Sequence, residues 1–258
     1  MDTTLLPISL ATLPALARVG GILACAPVFS SSAVPPQVRV MIAVALTVGL
    51  SPTMPAAPAA AQPLGAFALA VAGEALVGIA IGIAMNLVFV AAQWAGELIA
   101  QQLGLGLAES YDPAANTHGT VLSTAYSLLA IVVFLGVNGH HALLRGVGAS
   151  FEALPVQSAV NGQSVLDMLA RLLTGSASLA LQLAAPVFVT LLVTDLTIGM
   201  VGKTVPQVGL MTAGIAARAI VGLLVLVLCT ALTAALLQGA SANWMHLVTS
   251  ALPGLGTR

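Results

Sequence analysis

The chain has 258 residues, of which 59% are hydrophobic and 6% carry a charge, and its formal net charge is −1. A soluble globular domain carries charges on about a quarter of its residues, so this chain has too few polar side chains to cover a water-exposed surface. It contains no basic run, which excludes nucleic acid as a partner recognised through charge. Composition therefore predicts an all-α membrane protein with several apolar helices.

Six apolar segments follow one another along the chain, and long segments alternate with short ones. Their approximate bounds are Leu10–Phe29, Val38–Leu50, Leu64–Leu103, Val121–Val137, Val165–Met200 and Thr212–Gln238. An α-helix rises 1.5 Å per residue and the hydrocarbon core of a bilayer is about 30 Å thick, so the third and fifth segments exceed what a membrane requires. Glu74 and Glu97 interrupt the third segment, which is either one tall helix or two stacked pieces. The alternation predicts helical hairpins that reach beyond the bilayer.

Local signals indicate how the segments connect and pack. Asn138-Gly139 is a turn signal, and a short amphipathic stretch follows it as far as Phe151. Gly78 and Gly82 have the small-residue spacing that permits two helices to approach closely.

The last two segments are predicted to form a pair. The sixth is apolar on all sides, so we expect lipid or protein to bury it. We also expect it to form an antiparallel hairpin with the fifth segment about the turn Lys203–Leu210. The whole chain, 1–258, is predicted to be one domain, with N-terminal helices in 1–163 and the C-terminal hairpin in 164–258.

Charged side chains inside apolar segments are costly in a membrane and are functional candidates by default. The candidates are Arg18, Glu74, Glu97, Asp195, Lys203 and Arg218. They either relay protons through a hydrated cavity or pair at helix and subunit contacts. Only three are carboxylates, and no histidine lies in the segments to extend a relay. Buried pairing is therefore the favoured interpretation.

The sequence predicts no enzyme, no cofactor and no metal site. His140 and His141 are adjacent, and neighbouring side chains on a helix diverge by about 100°, so both cannot hold one ion without distant ligands. No glycine-rich phosphate loop and no pairing of a nucleophile with a base is visible. Cys25 and Cys229 lie in separate apolar stretches, and we expect them to pack as free thiols.

The most unusual stretch separates the third and fourth segments, from Gln101 to Asn116. Its glycines allow backbone shapes that other residues resist, and Asp112-Pro113 fixes a turn. Non-helical backbone at membrane depth is tolerated only where protein buries it or where it lines a cavity. The residues alone leave two interpretations open, a re-entrant plug or gate loop and an ordinary loop outside the membrane.

Several short motifs, each present once, follow one another in a characteristic order along nearly the whole chain. They are Ala26-Pro27-Val28-Phe29, Val34-Pro35 with Arg39, Gly73-Glu74 with Gly78, Ala95-Gly96 through Gln102 and Gly104 to Asp112-Pro113, Asn138-Gly139-His140-His141 with Ser150-Phe151, and Ala185-Pro186 through Asp195 to Pro206-Gln207. This ordered set resembles the FliR/SctT family of flagellar and type III secretion export-gate proteins. The Gly-His-His and Ser-Phe forms are more similar to flagellar members. Lys203 and Arg218 depart from the pattern, in which Arg and Lys occupy these positions.

The resemblance implies a subunit of the flagellar protein export gate in the bacterial inner membrane, within the flagellar basal body. Such proteins assemble with FliP-type and FliQ-type membrane subunits into a helical channel. The other export apparatus components and the exported unfolded proteins are the remaining partners. Two alternatives stay open: a gate subunit of a type III secretion injectisome, and a free-standing polytopic transporter of small molecules with coupling sites at Glu74, Glu97 and Asp195.

The resemblance also implies that the stretch 104–116 plugs the pore. Apolar side chains can seal a constriction by excluding water, and glycines lower the barrier to rearrangement. The predicted plug residues are Leu103, Gly104, Leu105, Gly106, Leu107, Asp112, Pro113 and Asn116, and the predicted buried-charge contacts are Glu74, Glu97, Asp195, Lys203 and Arg218.

Overall fold

The computed structural model describes residues 5–27, 29–30, 34–51, 63–105, 119–156, 158, 160–204 and 210–255. These residues form seven α-helices: α1 (Leu5–Cys25), α2 (Pro36–Leu50), α3 (Leu64–Gln102), α4 (Val121–Gly136), α5 (Gly139–Ala153), α6 (Gly162–Thr204) and α7 (Leu210–Ala251). A 3₁₀ turn, Leu252–Leu255, follows α7. Each predicted apolar segment corresponds to one helix, and the predicted amphipathic stretch is α5. The all-α class is confirmed.

The long segments are continuous helices. α3 is one helix of 39 residues, so the third segment is a single tall helix. α6 is also continuous, although Pro186 lies inside it. α7 continues beyond its predicted end at Gln238 to Ala251. Gly239, directly after Gln238, is a possible helix-stop signal, but the helix continues through it and ends only shortly before Pro253-Gly254.

Fewer helices can cross a membrane than there are apolar segments. Among the described residues, α3, α6 and α7 are long and apolar enough to span. α4 and α5, which are separated by a break at Val137-Asn138, make a fourth span if the pair counts as one. The stretch Thr12–Cys25 of α1 and the helix α2 are shorter apolar segments. The part of the chain searched therefore contains three or four candidate spans.

The described helices group into two compact units, the first of which contains α1, α2, α5, the start of α3 and the end of α7. In this unit α1 crosses α3 at glycines. A Cβ built on Gly21 would lie 2.6 Å from the carbonyl oxygen of Ala75, and one on Gly82 would lie 2.7 Å from that of Ile22. Only glycine fits so close a crossing. The close approach predicted from Gly78 and Gly82 is therefore present, and α1 is the partner helix.

Two hydrogen bonds hold the C-terminal end of the described chain within the first unit. The buried indole N–H of Trp244 donates to the carbonyl oxygen of Ala84 in α3 at 2.9 Å. The backbone N–H of Asn161, just before α6, donates to the carbonyl oxygen of Leu255 at 2.9 Å. The end of α7 and the start of α6 are thus both fixed there.

The second unit contains the end of α3, α4 and most of α6 and α7. α4 runs antiparallel to the end of α3. Phe89 meets Phe134 edge to face with ring centroids 5.3 Å apart, and Nε2 of Gln93 donates to Oγ of Ser127 at 3.3 Å. Later residues of α3 thus meet earlier residues of α4.

α6 and α7 also pair in the second unit. Among the contacts between the two helices, residue numbers decrease along α6 as they increase along α7. The helices are therefore antiparallel, as the sequence predicts. Residues 205–209 of the connecting turn lie outside the described residues, and the division of the chain into 1–163 and 164–258 stays a prediction. Three contacts fix the register: Ile198 with Gly214, Asp195 with Arg218, and Leu191 with Gly222.

Candidate functional site

A fully buried arginine occupies the core of the first unit. Arg18 of α1 is 0% exposed, and its Nε donates to Oε2 of Glu74 in α3 at 2.5 Å. Glu74 is also buried. A charge in apolar surroundings is costly unless an opposite charge and hydrogen bonds compensate it. Each of these two side chains therefore makes the burial of the other possible.

Arg18 also contacts α5. Its Nη1 donates to the carbonyl oxygens of Ser150 at 3.0 Å and Leu154 at 2.7 Å, at the C-terminal end of that helix. The guanidinium carbon lies 4.6 Å from the ring centroid of Phe151. Cations are favoured near helix C-termini and over aromatic faces. The side chain of Arg18 thus connects α1 to both α3 and α5. The sequence did not indicate its contact with α5.

Glu97 lies near the end of α3, in the second unit. Its Oε2 accepts a hydrogen bond from the backbone N–H of Thr120 at 3.4 Å, and the Thr120 side chain accepts from the N–H of Ser123 to cap α4. The free amides at a helix N-terminus favour an anionic group. Gly96 permits this approach, because a Cβ there would lie 2.5 Å from the carbonyl oxygen of Leu122. Glu97 is therefore placed where it satisfies the start of α4.

Asp195 and Arg218 form an ion pair between α6 and α7. Their side chains are 26% and 41% exposed, in contrast to the buried pair of the first unit. Lys203 is exposed in the last turn of α6, where the helix carbonyls favour a cation. No described residue forms an ion pair with it. That Lys203 lies at a subunit contact stays a prediction.

The end of α3 has the geometry of a Schellman motif. Gly104 has a φ of 78°, its N–H donates to the carbonyl oxygen of Gln101 at 3.0 Å, and the N–H of Leu105 donates to that of Ala100 at 3.0 Å. Glycine suits this left-handed conformation because it has no Cβ. Gly104 thus terminates α3, a role the sequence did not assign to it. Leu105 is 44% exposed, whereas Gly106, Leu107, Asp112, Pro113 and Asn116 lie outside the described residues.

Leu103, just before Gly104, is seated on the α6–α7 hairpin. It is 3% exposed, and its Cδ2 occupies the space that a Cβ on Gly222 of α7 would need. Cδ2 of Leu191 in α6, a fully buried residue, would lie 3.5 Å from the same Cβ. The sequence did not single out Gly222. Its only signal is an isolated glycine between apolar residues, which does not reveal the side chain packed against it.

The described residues hold helices against one another and show no metal centre. No group of three or more His, Cys, Asp and Glu among them is arranged to hold an ion. The rings of His140 and His141 contact each other, with centroids 4.3 Å apart. Cys25 and Cys229 are free thiols. The site therefore has a structural character. The first unit contains the buried ion pair of Arg18 and Glu74, and in the second unit Leu103 packs against Gly222 at the end of α3.

Comparison with known proteins identifies the family. Residues 9–244 match the model of the bacterial export proteins, family 1. The flagellar biosynthetic protein FliR of Escherichia coli (strain K12) is 32% identical over 81% of this chain and 79% of its own length. The protein of the same name from Caulobacter vibrioides (strain ATCC 19089 / CIP 103742 / CB 15) is 30% identical over 74% and 76%. The surface presentation of antigens protein SpaR of Shigella flexneri is 26% identical over 61% and 60%.

The residues matched by the family model include both the buried ion pair and the contact at the end of α3. Arg18 and Glu74 lie inside the range 9–244, as do Leu103 and Gly222. Proteins named flagellar biosynthetic protein FliR and surface presentation of antigens protein SpaR are both among the relatives, which confirms the resemblance to the FliR/SctT family. The chain belongs to the bacterial export proteins, family 1.

Proposed function

We propose that this protein is a subunit of the bacterial flagellar export gate. In this role it forms part of an inner-membrane channel of the flagellar basal body, through which unfolded flagellar proteins are secreted. The family match and the relatives named as flagellar biosynthetic proteins support the proposal. The protein does structural work in the channel and catalyses no reaction.

The length of the apolar helices is the observation that carries the proposal. α3, α6 and α7 have 39, 43 and 42 residues, which correspond to roughly 58 to 65 Å at 1.5 Å per residue. A bilayer offers an apolar layer of only about 30 Å. At the start of α3, Leu64 and Leu69 are 84% and 75% exposed. Apolar helix that extends beyond the hydrocarbon core needs other protein to cover it.

We assign that cover to FliP-type and FliQ-type membrane subunits. α7 exposes large apolar side chains, among them Leu224, Val227 and Leu228. No charged residue occurs from Ala219 to Thr257, so the partner surfaces must themselves be apolar, as those of small membrane proteins are. The other export apparatus components and the exported unfolded chains complete the set of partners.

We further propose that the stretch 104–116 is the plug of this channel. The support comes from the residues on either side of this stretch, at the end of α3 and the start of α4. The Schellman motif at Gly104 fixes where the chain leaves α3, and the bond between Glu97 and the Thr120 amide holds the start of α4 against the same helix. Leu105, exposed just after the turn, and Leu107 supply apolar side chains for a seal that excludes water.

The alternative functions differ in what supports them. A free-standing transporter needs carboxylates free to couple to an ion, but Glu74 is paired with Arg18 and Asp195 with Arg218. An injectisome gate subunit is the second candidate, which the similarity to SpaR favours. We rank it second because the flagellar protein of Escherichia coli is 32% identical to this chain, against 26% for SpaR.

Complementation tests the system that the protein serves. The gene is expressed in a bacterium that lacks its own flagellar member of this family, and secretion of flagellar proteins and swimming are measured. Both should return. If neither returns, and an injectisome strain lacking its family member regains secretion, the second candidate is correct.

Deletion tests the plug. Removal of Gly104–Tyr111 should leave the protein inserted and bound to its partners but make the membrane leak ions or small solutes. Deletion of Met54–Ala61, eight residues in the connector between α2 and α3, is the control of equal length and should leave the membrane tight. A tight membrane with normal secretion after the first deletion would show that the stretch is an ordinary loop.

A further inference from the structure

We propose that Leu103 and Gly222 form a positioning contact, which fixes the exit of α3 on the α6–α7 hairpin and thereby keeps the plug in place. The inference rests on the proposed function, because it names residues that would control the proposed plug. Both residues are described, and both belong to the second unit.

The contact is tight and fully desolvated. A Cβ on Gly222 would overlap Cδ2 of Leu103 and would lie 3.4 Å from its Cγ. Leu103 is 3% exposed and Leu191 beside it is 0% exposed. The leucine therefore fills a notch that exists only because position 222 has no side chain. Burial of a leucine contributes substantially to holding two elements together.

The anchor lies directly before the turn that begins the loop. The N–H of Leu103 still donates to the carbonyl oxygen of Ile99 at 2.9 Å, as in a regular helix, and the next residue, Gly104, reverses the chain at φ 78°. No residue separates the anchor from the turn. Any displacement of Leu103 from its notch therefore also displaces the point from which the loop departs.

The notch depends on how α6 and α7 are aligned. Leu191 lies one turn from Asp195, and Gly222 lies one turn from Arg218, so the ion pair and the contact of Leu191 with Gly222 belong to the same register of the two helices. A shift of one helix along the other would separate the walls of the notch. Movement in the hairpin is thereby coupled to the exit of α3.

Exchange of side-chain volume tests the contact. Gly222→Val should expel Leu103, Leu103→Ala should empty the notch, and the double variant should refill it because the added and removed volumes match. Gly239→Val is the control on the same helix, since no described atom lies within 4 Å of a Cβ there. The double variant also separates a lost contact from a general failure to fold.

Amide hydrogen exchange of the purified complex is the first measurement, read from the peptide that contains Gly104 and Leu105. Each single variant should exchange faster there by roughly tenfold or more, in line with the cost of deleting buried leucine atoms. The double variant and Gly239→Val should exchange as the unaltered protein does. Cells that carry either single variant should also have a leaky membrane, whereas cells that carry the double variant or Gly239→Val should not.

Two results would overturn the inference. One is unchanged exchange and no leak in both single variants while the Gly104–Tyr111 deletion leaks, in which case the plug stands and the anchor does not. The other is a double variant that is no better than the single variants. If instead the deletion leaves the membrane tight, the proposed plug fails, and the control of it by Leu103 fails with it.

Discussion

Neutralising Glu74 would leave a buried cation without its counter-charge. In Glu74→Gln the amide oxygen can still accept a hydrogen bond from Nε of Arg18, but the guanidinium, which is 0% exposed, loses the only negative charge described beside it. Breaking a buried ion pair by removing one partner costs about 3 to 5 kcal/mol. One hydrogen bond survives, so we expect the lower end, a loss of about 3 kcal/mol in the free energy of unfolding.

Two further variants separate charge from packing. Asp195→Asn breaks a pair whose side chains are 26% and 41% exposed, and exposed pairs contribute only about 0.2 to 1 kcal/mol. The double variant Arg18→Met/Glu74→Leu replaces the buried pair by apolar side chains, which is often neutral. It should recover only part of the loss, because the carbonyl oxygens of Ser150 and Leu154 both lose the donor Nη1. A buried acceptor left without its donor costs about 1 to 3 kcal/mol.

Unfolding of the purified protein by SDS in mixed micelles measures these differences. The chain has two tryptophans, and Trp94→Phe leaves Trp244, buried in the same unit, as the fluorescent reporter. If Glu74→Gln unfolded at the same SDS fraction as the unaltered protein, the expected loss of about 3 kcal/mol in the free energy of unfolding would be wrong. Normal assembly combined with selective loss of the proton dependence of export would refute the structural role and favour a relay.

Three smaller perturbations test other contacts. Gly78→Ala should destabilise the first unit by roughly 1 to 3 kcal/mol, because its Cβ would overlap a backbone carbonyl of α1; Gly73→Ala, with nothing within 4 Å, is its control in the same SDS titration. Thr120→Ala removes the cap of α4 and should cost about 1 kcal/mol, seen as faster amide exchange at Ser123. Trp244→Phe loses one hydrogen bond and should lower stability by about 1 kcal/mol, seen in thermal unfolding.

Patterns local in the sequence predicted most of the fold. Apolar runs gave the helices, because burial in lipid or protein needs only composition and length to be recognised. The antiparallel pairing of α6 and α7 followed from one short turn between two long runs. The end of α7 at Ala251 was missed, because the apolar segment was predicted to end at Gln238, whereas the helix continues through glycine and polar residues that follow it.

Contacts between distant residues were beyond the reach of the sequence. Arg18 and Glu74 are 56 positions apart, and each was recognised as an embedded charge expected to pair, but the sequence did not identify its partner. Gly104 was assigned to loop rearrangement, whereas its hydrogen bonds show that it ends a helix. Gly222 carried no chemical signal at all. Its importance depends on Leu103, which reaches it only after α3, α6 and α7 have packed.

Co-purification tests the central claim most directly. The chain is co-expressed with FliP-type and FliQ-type subunits, extracted in detergent and purified through a tag on the chain alone. Because roughly half the length of each long apolar helix exceeds the bilayer core, we expect all three proteins to elute together as one stable complex. Elution of the chain alone as a single monodisperse species, without small membrane partners, would contradict its role as an export-gate subunit.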